Sequence, residues 1–400
     1  MKVLIHRYNS ICEPDYIDAF KSLGLEVVED CDEMKDKNIS IDTRVERLGE
    51  YILTERPLFV FSINFFPYIA LVCEKLKCLY VCVSVDCPVV ELFSSAIRSP
   101  FNRVFLFDRA QYDEVSAHNP ECVFHLPLGV NTDRIDLTIG EPVWNAVSGR
   151  NIEYKYDVSF IGSLYSEKDA YADIEKRLPD RVKGYCEGLI ESQLLFPGQE
   201  LLEECVSDEV IRAFKKADSS FYPSDMSVMN TDGFVAVNNY LSYHITWIDR
   251  ILLLNSLAED AKVHLFTRSD TTPLRGVICH GGVSSLTEMP LVFRQSKINI
   301  NHTMRAIRSG LPQRIWDILG SGGFLLTNYQ SELPEFLEVG KHLAAYETID
   351  EAKELIEYYL SHDDEREQIA ENGYMFVREK NKVTDRVTEM IRIVLGTLEK

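Results

Sequence analysis

The feature that most constrains this chain is a repeated alternation of short apolar segments with segments of helical periodicity. The first third contains the β-branched runs KVLIHR, LFVFSIN, LYVCVSV, RVFLFD and VFHLPLG, with helical segments such as EPDYIDAFKSLG and FPYIALVCEKLK between them. Short apolar strands separated by helices are typical of a parallel sheet covered on both faces. The alternation therefore predicts a doubly wound α/β domain at the start of the chain.

The same pattern begins again after a linker predicted over residues 136–156. YDVSFIG, AKVHLFTR, GVICHGG, KININ and FLLTN are predicted as strands, and helical segments lie between them. Residues 170–245 are predicted as a helical insertion, and the tail from Asp350 onward as three amphipathic helices rich in charge pairs. The chain is therefore predicted to hold two α/β domains.

Size and charge agree with two domains and exclude some classes of ligand. The 400 residues are 46% hydrophobic, enough to bury two cores. The formal charge of −21 argues against a general nucleic-acid binder or a protein that binds anionic membranes. A local cluster of arginines could still bind a small anion.

Targeting and cysteine patterns point to a cytoplasmic protein. Met1 and Lys2 run directly into a strand-like segment, so we expect no signal peptide. No apolar run reaches the roughly 18 residues that a transmembrane helix needs. The ten cysteines include no Cys-x-x-Cys pair, so we expect reduced thiols and no metal site.

The segment 300–328, INHTMRAIRSGLPQRIWDILGSGGFLLTN, places three arginines within ten residues, directly after a predicted strand. Guanidinium groups bind phosphate bidentately, and the N-terminus of the following helix adds positive potential. We therefore predict that Arg305, Arg308 and Arg314 form a phosphate site. Asp317 lies on the same helix face as Arg314, where it could accept hydrogen bonds from sugar hydroxyls or pair with Arg314. The alternative is an exposed helix with a surface ion pair.

Further candidates come from the loops after predicted strands, because ligands of such sheets bind beyond the carboxyl ends of the strands. In the second half the candidate phosphate or sugar contacts are Gly162, Ser163, Lys168, Arg268, His280, Gly281, Gly282 and Asn301. In the first half the polar residues at strand ends are His6, Asn9, Asn64 and Asp86. Asp86 is the best acid for deprotonating a hydroxyl group, and a loop-capping aspartate is its alternative. The acidic run Asp30–Asp32 is predicted as a solvated surface.

Several of these segments resemble the CgeB-like glycosyltransferases, a family named for a spore-maturation protein. The resemblance lies in FIGSLY, in HGGV and EMPLVFRQSKININHTMRAIRSGLPQRIWDILGSGGFLLTNYQSELPEFLEVG, and in YYLSHDDEREQIAENGY. HRYNSICEPDYIDAF, FSINFFPYIA, VDCPVVELF and NRVFLFDRAQYDEV resemble the uncharacterised domain that usually precedes this module. Together the matches cover nearly the whole chain except about 170–245.

The resemblance implies a GT-B fold, in which two Rossmann-like domains face a cleft. We place the acceptor domain at 1–150 and the nucleotide-sugar domain at 151–378, and expect the final helix, 379–400, to pack back on the first domain. The resemblance also implies that no metal or other cofactor is needed, because arginine or lysine and a helix N-terminus neutralise the departing diphosphate.

Two positions differ from the pattern of related retaining enzymes. Their Glu-x7-Glu pair falls on Ser309 and Asp317, so a serine replaces the first acid, whereas Asp317 matches the acid that bonds the ribose. Their phosphate loop aligns with GSLYSEKD, in which Lys168 is kept and Ser163 stands in place of arginine. Arg308 and Arg314 are therefore predicted to take over the phosphate role.

We predict a bacterial, cytoplasmic hexosyltransferase. It would move a sugar from a nucleoside-diphosphate donor, expected to be UDP-linked, to a hydroxyl group of a protein, a glycan or a small molecule. Arg314 is the predicted catalytic cation, Asp86 or His6 is the candidate base if the reaction inverts, and Asn9 and Asn64 accompany Asp86 on the acceptor side. Two alternatives stay open: a nucleotide-sugar epimerase or phosphorylase of the same shape, and a non-catalytic donor-binding subunit.

Overall fold

The computed structural model describes residues 1–140, 152–196, 201–222 and 227–397. These residues form two compact units. The first comprises residues 1–131 with the described parts of 225–229 and 380–400, and the second comprises the described parts of 132–224 and 230–379. None of the helices in the described ranges is both long and apolar enough to cross a membrane.

The described residues contain twelve strands. They are β1 (Lys2–His6), β2 (Glu26–Asp30), β3 (Phe59–Ile63), β4 (Leu79–Ser84), β5 (Asn102–Leu106), β6 (Val123–His125), β7 (Tyr156–Ile161), β8 (Val263–Phe266), β9 (Ile278–His280), β10 (Ser296–Asn301), β11 (Leu325–Asn328) and β12 (Ala344–Tyr346).

The α-helices of the same ranges lie between these strands and after the last one. They are α1 (Glu13–Ser22), α2 (Asp32–Lys35), α3 (Ile41–Glu55), α4 (Pro67–Leu76), α5 (Arg109–Ser116), α6 (Thr132–Ile139), α7 (Ala170–Ile174), α8 (Asp180–Leu195), α9 (Leu202–Cys205), α10 (Asp208–Ala217), α11 (Asp232–Val235), α12 (Ser242–Asp260), α13 (Met289–Arg294), α14 (Gln313–Gly320), α15 (Leu333–Phe336), α16 (Ile349–Ser361), α17 (Asp363–Lys380) and α18 (Val383–Gly396).

The first unit is built on a parallel sheet in the order β2-β1-β3-β4-β5-β6. β3 and β5 are buried along their whole length, as expected for a sheet covered on both faces. Helix α18 packs against α1, and Val130 pairs with Lys382 beside it. The chain reverses its direction across the sheet between β1 and β3, which makes the loops after these strands the expected ligand position.

The second unit is built on a parallel sheet in the order β12-β11-β10-β7-β8-β9. Its reversal lies between β7 and β10, where Ile300 pairs with Phe160. Leu253 and Leu257 of α12 and Ile356 of α16 are buried in the same apolar core as these strands. The two parallel six-stranded sheets, each covered by helices, confirm the predicted α/β architecture of two Rossmann-like domains.

The predicted linker over 136–156 differs from the structure at both ends. Helix α6 covers its beginning as far as Ile139, and Tyr156 already starts β7. The part between, 141–151, lies outside the described residues. In the predicted insertion, the described residues are mainly helical, and a π-helical segment, Ala236–Leu241, leads directly into α12.

Candidate active site

Both sheets present polar side chains at the carboxyl ends of their strands. We call the loops after β1, β3 and β4 the first edge, and the loops after β7, β8, β9, β10, β11 and β12 the second edge. The predicted site residues of the first half lie on the first edge, except His6, which is the last residue of β1. In the second half His280 and Asn301 are the last residues of β9 and β10, and the other predicted residues lie on the second edge or on α14. Each edge belongs to its own unit.

Asn64 organises the exposed part of the first edge. Its backbone is in the left-handed region (φ 58°), and its side-chain amide donates to Asp86 Oδ2 at 2.6 Å and to the Tyr8 hydroxyl at 3.1 Å. Its side-chain oxygen Oδ1 accepts from the backbone N–H of Val85 at 3.1 Å. Asp86 is thereby held in one orientation while its side chain stays exposed. Asn9 is also exposed, in a left-handed turn after β1 (φ 76°).

His6 is buried below this edge and has a carboxylate on each side. Its Nδ1 lies 3.0 Å from Asp30 Oδ2, and its Nε2 lies 3.3 Å from Glu33 Oε2 and 3.2 Å from the Tyr68 hydroxyl. Burial lowers the pKa of His6, but the hydrogen bonds to Asp30 and Glu33 outweigh it and leave the pKa raised. Both nitrogens are engaged, so the arrangement favours Asp86 over His6 as a base.

The position of Asp30 corrects the expectation of a solvated acidic run over residues 30–32. The Asp30 side chain is buried because it accepts the hydrogen bond from His6, while Asp32 forms an ion pair with Arg47 at 3.0 Å. Among the residues described, no group of three or more His, Cys, Asp or Glu side chains is arranged to hold a metal ion.

On the second edge, the loop after β7 is closed by its own hydrogen bonds. Ser163 Oγ accepts from the backbone N–H of Tyr165 at 2.7 Å, and Ser269, after β8, accepts from Leu164 N–H at 2.8 Å. Gly162 N–H bonds to the carbonyl of Phe266 at 3.1 Å. Lys168 is exposed, with Nζ 5.6 Å from the ring centroid of Tyr165. The loop therefore presents an exposed ammonium group on a rigid turn.

The loops after β8 and β9 pack against each other. A Cβ on Gly282 would lie 2.5 Å from Cγ of Arg268, so glycine is required for the exposed Arg268 side chain to lie across this loop, and Gly281 precedes the contact in open space. His280 stacks on Phe266 at 4.4 Å, and its Nε2 lies 3.0 Å from Nδ1 of His264. His280 is therefore partly engaged by its own sheet.

A buried network follows β10. Nε2 of His302 lies 2.8 Å from Asp249 Oδ2, its Nδ1 lies 2.9 Å from the Tyr346 hydroxyl, and Nε of Arg305 donates to the same Asp249 oxygen at 2.7 Å. Burial raises the pKa of Asp249, but His302 and Arg305 outweigh it and leave the pKa well below its usual range. Asn301 is also buried and spends its amide N–H groups on Thr303 and Thr327, which ties β10 to β11.

The network borders a cavity of about 640 Å³ within the second unit. Arg305 and Arg308 line it together with the polar side chains Asn328, Gln330 and Tyr346. This volume is in the range of small-molecule sites, roughly 300–1,000 Å³. The structure thus brings two of the three predicted arginines to one cavity.

Arg314 lies apart from the residues that line this cavity. Its guanidinium lies over the Phe293 ring at 5.5 Å, contacts the sulfur of Met289, and is 3.8 Å from Asp317 Oδ2. Asp317 also accepts from Gln313 Nε2 at 3.0 Å. The predicted pairing of Arg314 with Asp317 is thus present as a loose contact.

Ser309, the position at which the predicted resemblance leads us to expect an acid, is joined to a carboxylate from elsewhere in the chain. Its hydroxyl donates to Oε1 of Glu332 at 2.6 Å, and Glu332 N–H bonds to the Ser309 carbonyl at 3.3 Å. Glu332 is buried, in the turn that leads into α15 after β11. A carboxylate therefore lies against this position through tertiary structure.

The sequence patterns did not single out Asp249 and Arg250, although both contact loops of the second edge. They are adjacent on α12 and both are buried. The signal that could have found them is a charged pair inside the apolar stretch ITWIDRILLL, since such residues are seldom buried without a partner.

Comparison with known proteins supports the class of enzyme. A family model described as glycosyl transferase-like matches residues 250–392. This range includes most of the second edge and excludes the first. No curated protein sequence gives a significant match to the chain.

Solved structures show the same fold over the whole chain at low sequence identity. A glycosyltransferase from Rickettsia africae ESF-5 has a TM-score of 0.57 and 11% identity, covering 100% of this chain and 99% of its own. Anabaena HepE, solved with UDP and glucose, has a TM-score of 0.53 and 10% identity, covering 99% and 100%. T4 phage BGT, solved with its UDP-glucose substrate, has a TM-score of 0.50 and 8% identity, covering 100% of both chains.

The chain has the GT-B fold, and the matched family together with this fold supports a glycosyltransferase. The likeness to the CgeB-like family and to the domain that precedes it stays a prediction.

Proposed function

We propose that the protein transfers a hexose from a nucleoside-diphosphate sugar, UDP-linked by expectation, to a hydroxyl group of a protein, a glycan or a small molecule, without a metal ion. The observation that carries this proposal is the group of guanidinium ions on the second edge of a chain whose net charge is −21. Arg305 and Arg308 border the cavity, and Arg314 stands on the first turns of α14. The UDP and UDP-glucose ligands of Anabaena HepE and T4 phage BGT support the choice of donor class.

These cations would act on the donor when its diphosphate leaves. The bond between the anomeric carbon and the diphosphate oxygen breaks, and the leaving diphosphate gains negative charge. Arg308, Arg314 and Lys168 would stabilise that charge, because fixed cations at a partly desolvated site need no reorganisation during the reaction. Asp317 would accept hydrogen bonds from the ribose, and Arg268, His280 and the glycines beside it would border the nucleotide.

The acceptor would use the first edge. Its hydroxyl oxygen forms the new bond to the anomeric carbon, and its proton goes to Asp86 if the reaction inverts the configuration. Asp86 suits this role because Asn64 orients the carboxylate while leaving it exposed. Asn9 and Asn64 would border the acceptor.

The test is a panel of UDP-, GDP-, ADP- and dTDP-hexoses, each measured for thermal stabilisation of the protein and for release of the nucleoside diphosphate. We expect one donor class both to raise the melting temperature and to be hydrolysed slowly in the absence of acceptor. The matched control is the corresponding nucleoside, which lacks the diphosphate and should stabilise the fold less.

Each alternative has its own result in this panel. Conversion of the donor sugar to an epimer without transfer, or turnover that requires inorganic phosphate, would replace the proposal by an epimerase or a phosphorylase. Stabilisation by a donor with no turnover under any acceptor would indicate a donor-binding subunit. Absence of stabilisation by all four classes would overturn the proposed donor.

A further inference from the structure

Arg250 is a buried cation at the reversal point of the second sheet. It lies in the middle of α12 and is 8% exposed. Its guanidinium carbon lies over two aromatic rings, 5.3 Å from the centroid of Phe160 and 4.8 Å from that of Tyr165. The sheet reverses between β7 and β10, so a ligand that binds in the manner of this fold class would pass beside this group.

The guanidinium joins the two loops that flank the reversal point. One terminal nitrogen donates to the carbonyl of Ser163, after β7, and the other donates to the carbonyl of His302, after β10, at 2.6 Å. Its Nε is buried and has no hydrogen-bond partner among the residues that the structure describes. Arg250 therefore controls the spacing of these two loops through backbone contacts.

The charge of Arg250 is not neutralised by any carboxylate in ion-pair contact within the described residues. The adjacent Asp249 is engaged instead by His302 and Arg305. Burial is the main cause that lowers the pKa of Arg250, and the charge of Arg314 lowers it as well, so the two cations repel each other. The fields of Tyr165 and Asp249 raise this pKa but leave it lowered. A buried cation next to a second cation is costly unless an anion completes the group.

A second buried arginine in the same unit shows how a buried guanidinium charge is ordinarily neutralised. Arg366 is 1% exposed, lies over the Tyr154 ring at 5.3 Å and donates to the carbonyl of Tyr359 at 2.7 Å, much as Arg250 does. Arg366 also forms an ion pair with Asp363. Arg250 therefore differs from Arg366 in having no carboxylate in ion-pair contact among the described residues.

We propose that Arg250 is a positioning residue for the donor: it holds the loops after β7 and β10 at the spacing that receives the diphosphate, and the diphosphate supplies the anion in contact that Arg250 lacks among the described residues. This inference rests on the proposed function, since it names a further residue of the same donor site. Arg250 would act through the two loops and through its positive charge, and Arg314 would share the charge of the diphosphate.

The test compares the affinities of UDP and uridine for the full-length protein and its variants by calorimetry. A purely structural loss would weaken both ligands equally, whereas loss of a diphosphate-positioning cation lowers the ratio of the two affinities. We expect Arg250→Met to reduce the ratio about tenfold or more, and Arg250→Lys, which keeps the charge but not the planar fork, to retain part of it. The matched control Arg366→Met should lower the melting temperature and leave the ratio unchanged.

Inorganic pyrophosphate provides a probe that does not depend on the nucleobase. It should stabilise the wild-type protein against heating and stabilise Arg250→Met less. An unchanged UDP-to-uridine ratio in both Arg250 variants would overturn the role of Arg250 and leave the proposed function standing. Absence of any wild-type binding to UDP, GDP, ADP and pyrophosphate would overturn both. If Arg250→Met does not fold, the ratio for Arg250→Lys decides: a reduced ratio supports the inference, and an unchanged one contradicts it.

Discussion

The two edges of this molecule are built on similar sheets but differ in how their buried charges are paired. On the first edge the buried charges are paired internally, with His6 between Asp30 and Glu33, and Asp86 is exposed and oriented by Asn64. On the second edge Asp249 neutralises Arg305, but Arg250 is buried without an acid in contact among the described residues. The buried histidine of the first edge already has acidic partners, whereas an anion bound at the second edge would supply the partner that Arg250 lacks among the described residues. That difference supports the proposal that the donor binds at the second edge and that the general base lies on the first.

The largest effect is expected for Asp86→Asn, which tests whether the first edge acts on the acceptor alone. Removing a general base should lower kcat for transfer by about a thousandfold. Donor affinity should stay unchanged, because Asp86 belongs to the first edge. Initial rates with donor and acceptor, and UDP affinity by calorimetry, measure the two separately. Asp18→Asn, on an exposed acid of α1, is the control. Normal transfer by Asp86→Asn would contradict the role of Asp86 as the base of an inverting reaction.

The next effect tests the cations of the second edge. Arg314→Ala should lower kcat by about 10²–10³-fold while the protein stays folded, since a preorganised cation is removed from the leaving group. Arg314→Lys should lie between this variant and the wild type. Rates of donor hydrolysis are the measurement, and circular dichroism checks the fold. Arg275→Ala removes an exposed arginine of the same unit and serves as the control. Full activity in Arg314→Ala would contradict the proposal that Arg314 stabilises the leaving diphosphate.

A third prediction concerns the stability of the second edge. Asp249→Asn should destabilise the protein by about 3 kcal/mol, because it leaves the charge of Arg305 without its buried partner. The folded-state pKa of Asp249 is lowered, so its stabilisation is present above the unfolded-state pKa and is lost as the pH falls through the folded-state pKa. Urea denaturation at neutral pH measures the change. Asp260→Asn, on the exposed end of the same helix, should lower the free energy of unfolding by under about 0.5 kcal/mol. Equal losses of stability in the two variants would contradict a stabilising role for the buried network around Asp249.

The smallest effect tests the internal pairing of the first edge. The pKa of His6 is raised above its ordinary value of 6.5, so its pairing stabilises the fold fully below 6.5 and is lost as the pH rises through the folded-state pKa. Each unit by which this pKa is raised corresponds to about 1.4 kcal/mol. We therefore expect the melting temperature, measured as a function of pH, to fall as the pH rises through the folded-state pKa of His6. His6→Gln should remove this fall. A decline of the same size in His6→Gln would show that other groups cause it.

The parts that depended on short-range pattern were predictable. Each β-branched run and each helical segment between runs is local, and strands such as β3 and β10 are found where those runs lie. The carboxyl ends of parallel strands lie on one edge, so the positions of Asp86, Lys168 and Arg308 on loops could also be predicted. Sequence spacing was less informative about partners, because partners come from other strands and helices.

Three residues illustrate what spacing could not supply. Asp30 belongs to an acidic run, yet its side chain is buried because β2 lies beside β1 and meets His6. Ser309 and Glu332 are distant in sequence, yet their side chains bond at 2.6 Å because the loops after β10 and β11 are neighbours. Arg250 lies in an apolar helix and carried no motif, and its position over the reversal point depends on how α12 packs.

The sequence by itself determined the class of fold, the chain of candidate residues at strand ends and the unusual grouping of arginines in an acidic protein. These properties follow from periodicity and composition, which are local and additive. The tertiary structure alone decided which charges are neutralised: Arg305 by Asp249, His6 by two acids, Arg366 by Asp363, and Arg250 by no carboxylate in contact among the described residues. Electrostatic pairing depends on distance and burial, and strand order and helix packing bring groups far apart in the chain within a few ångströms of each other.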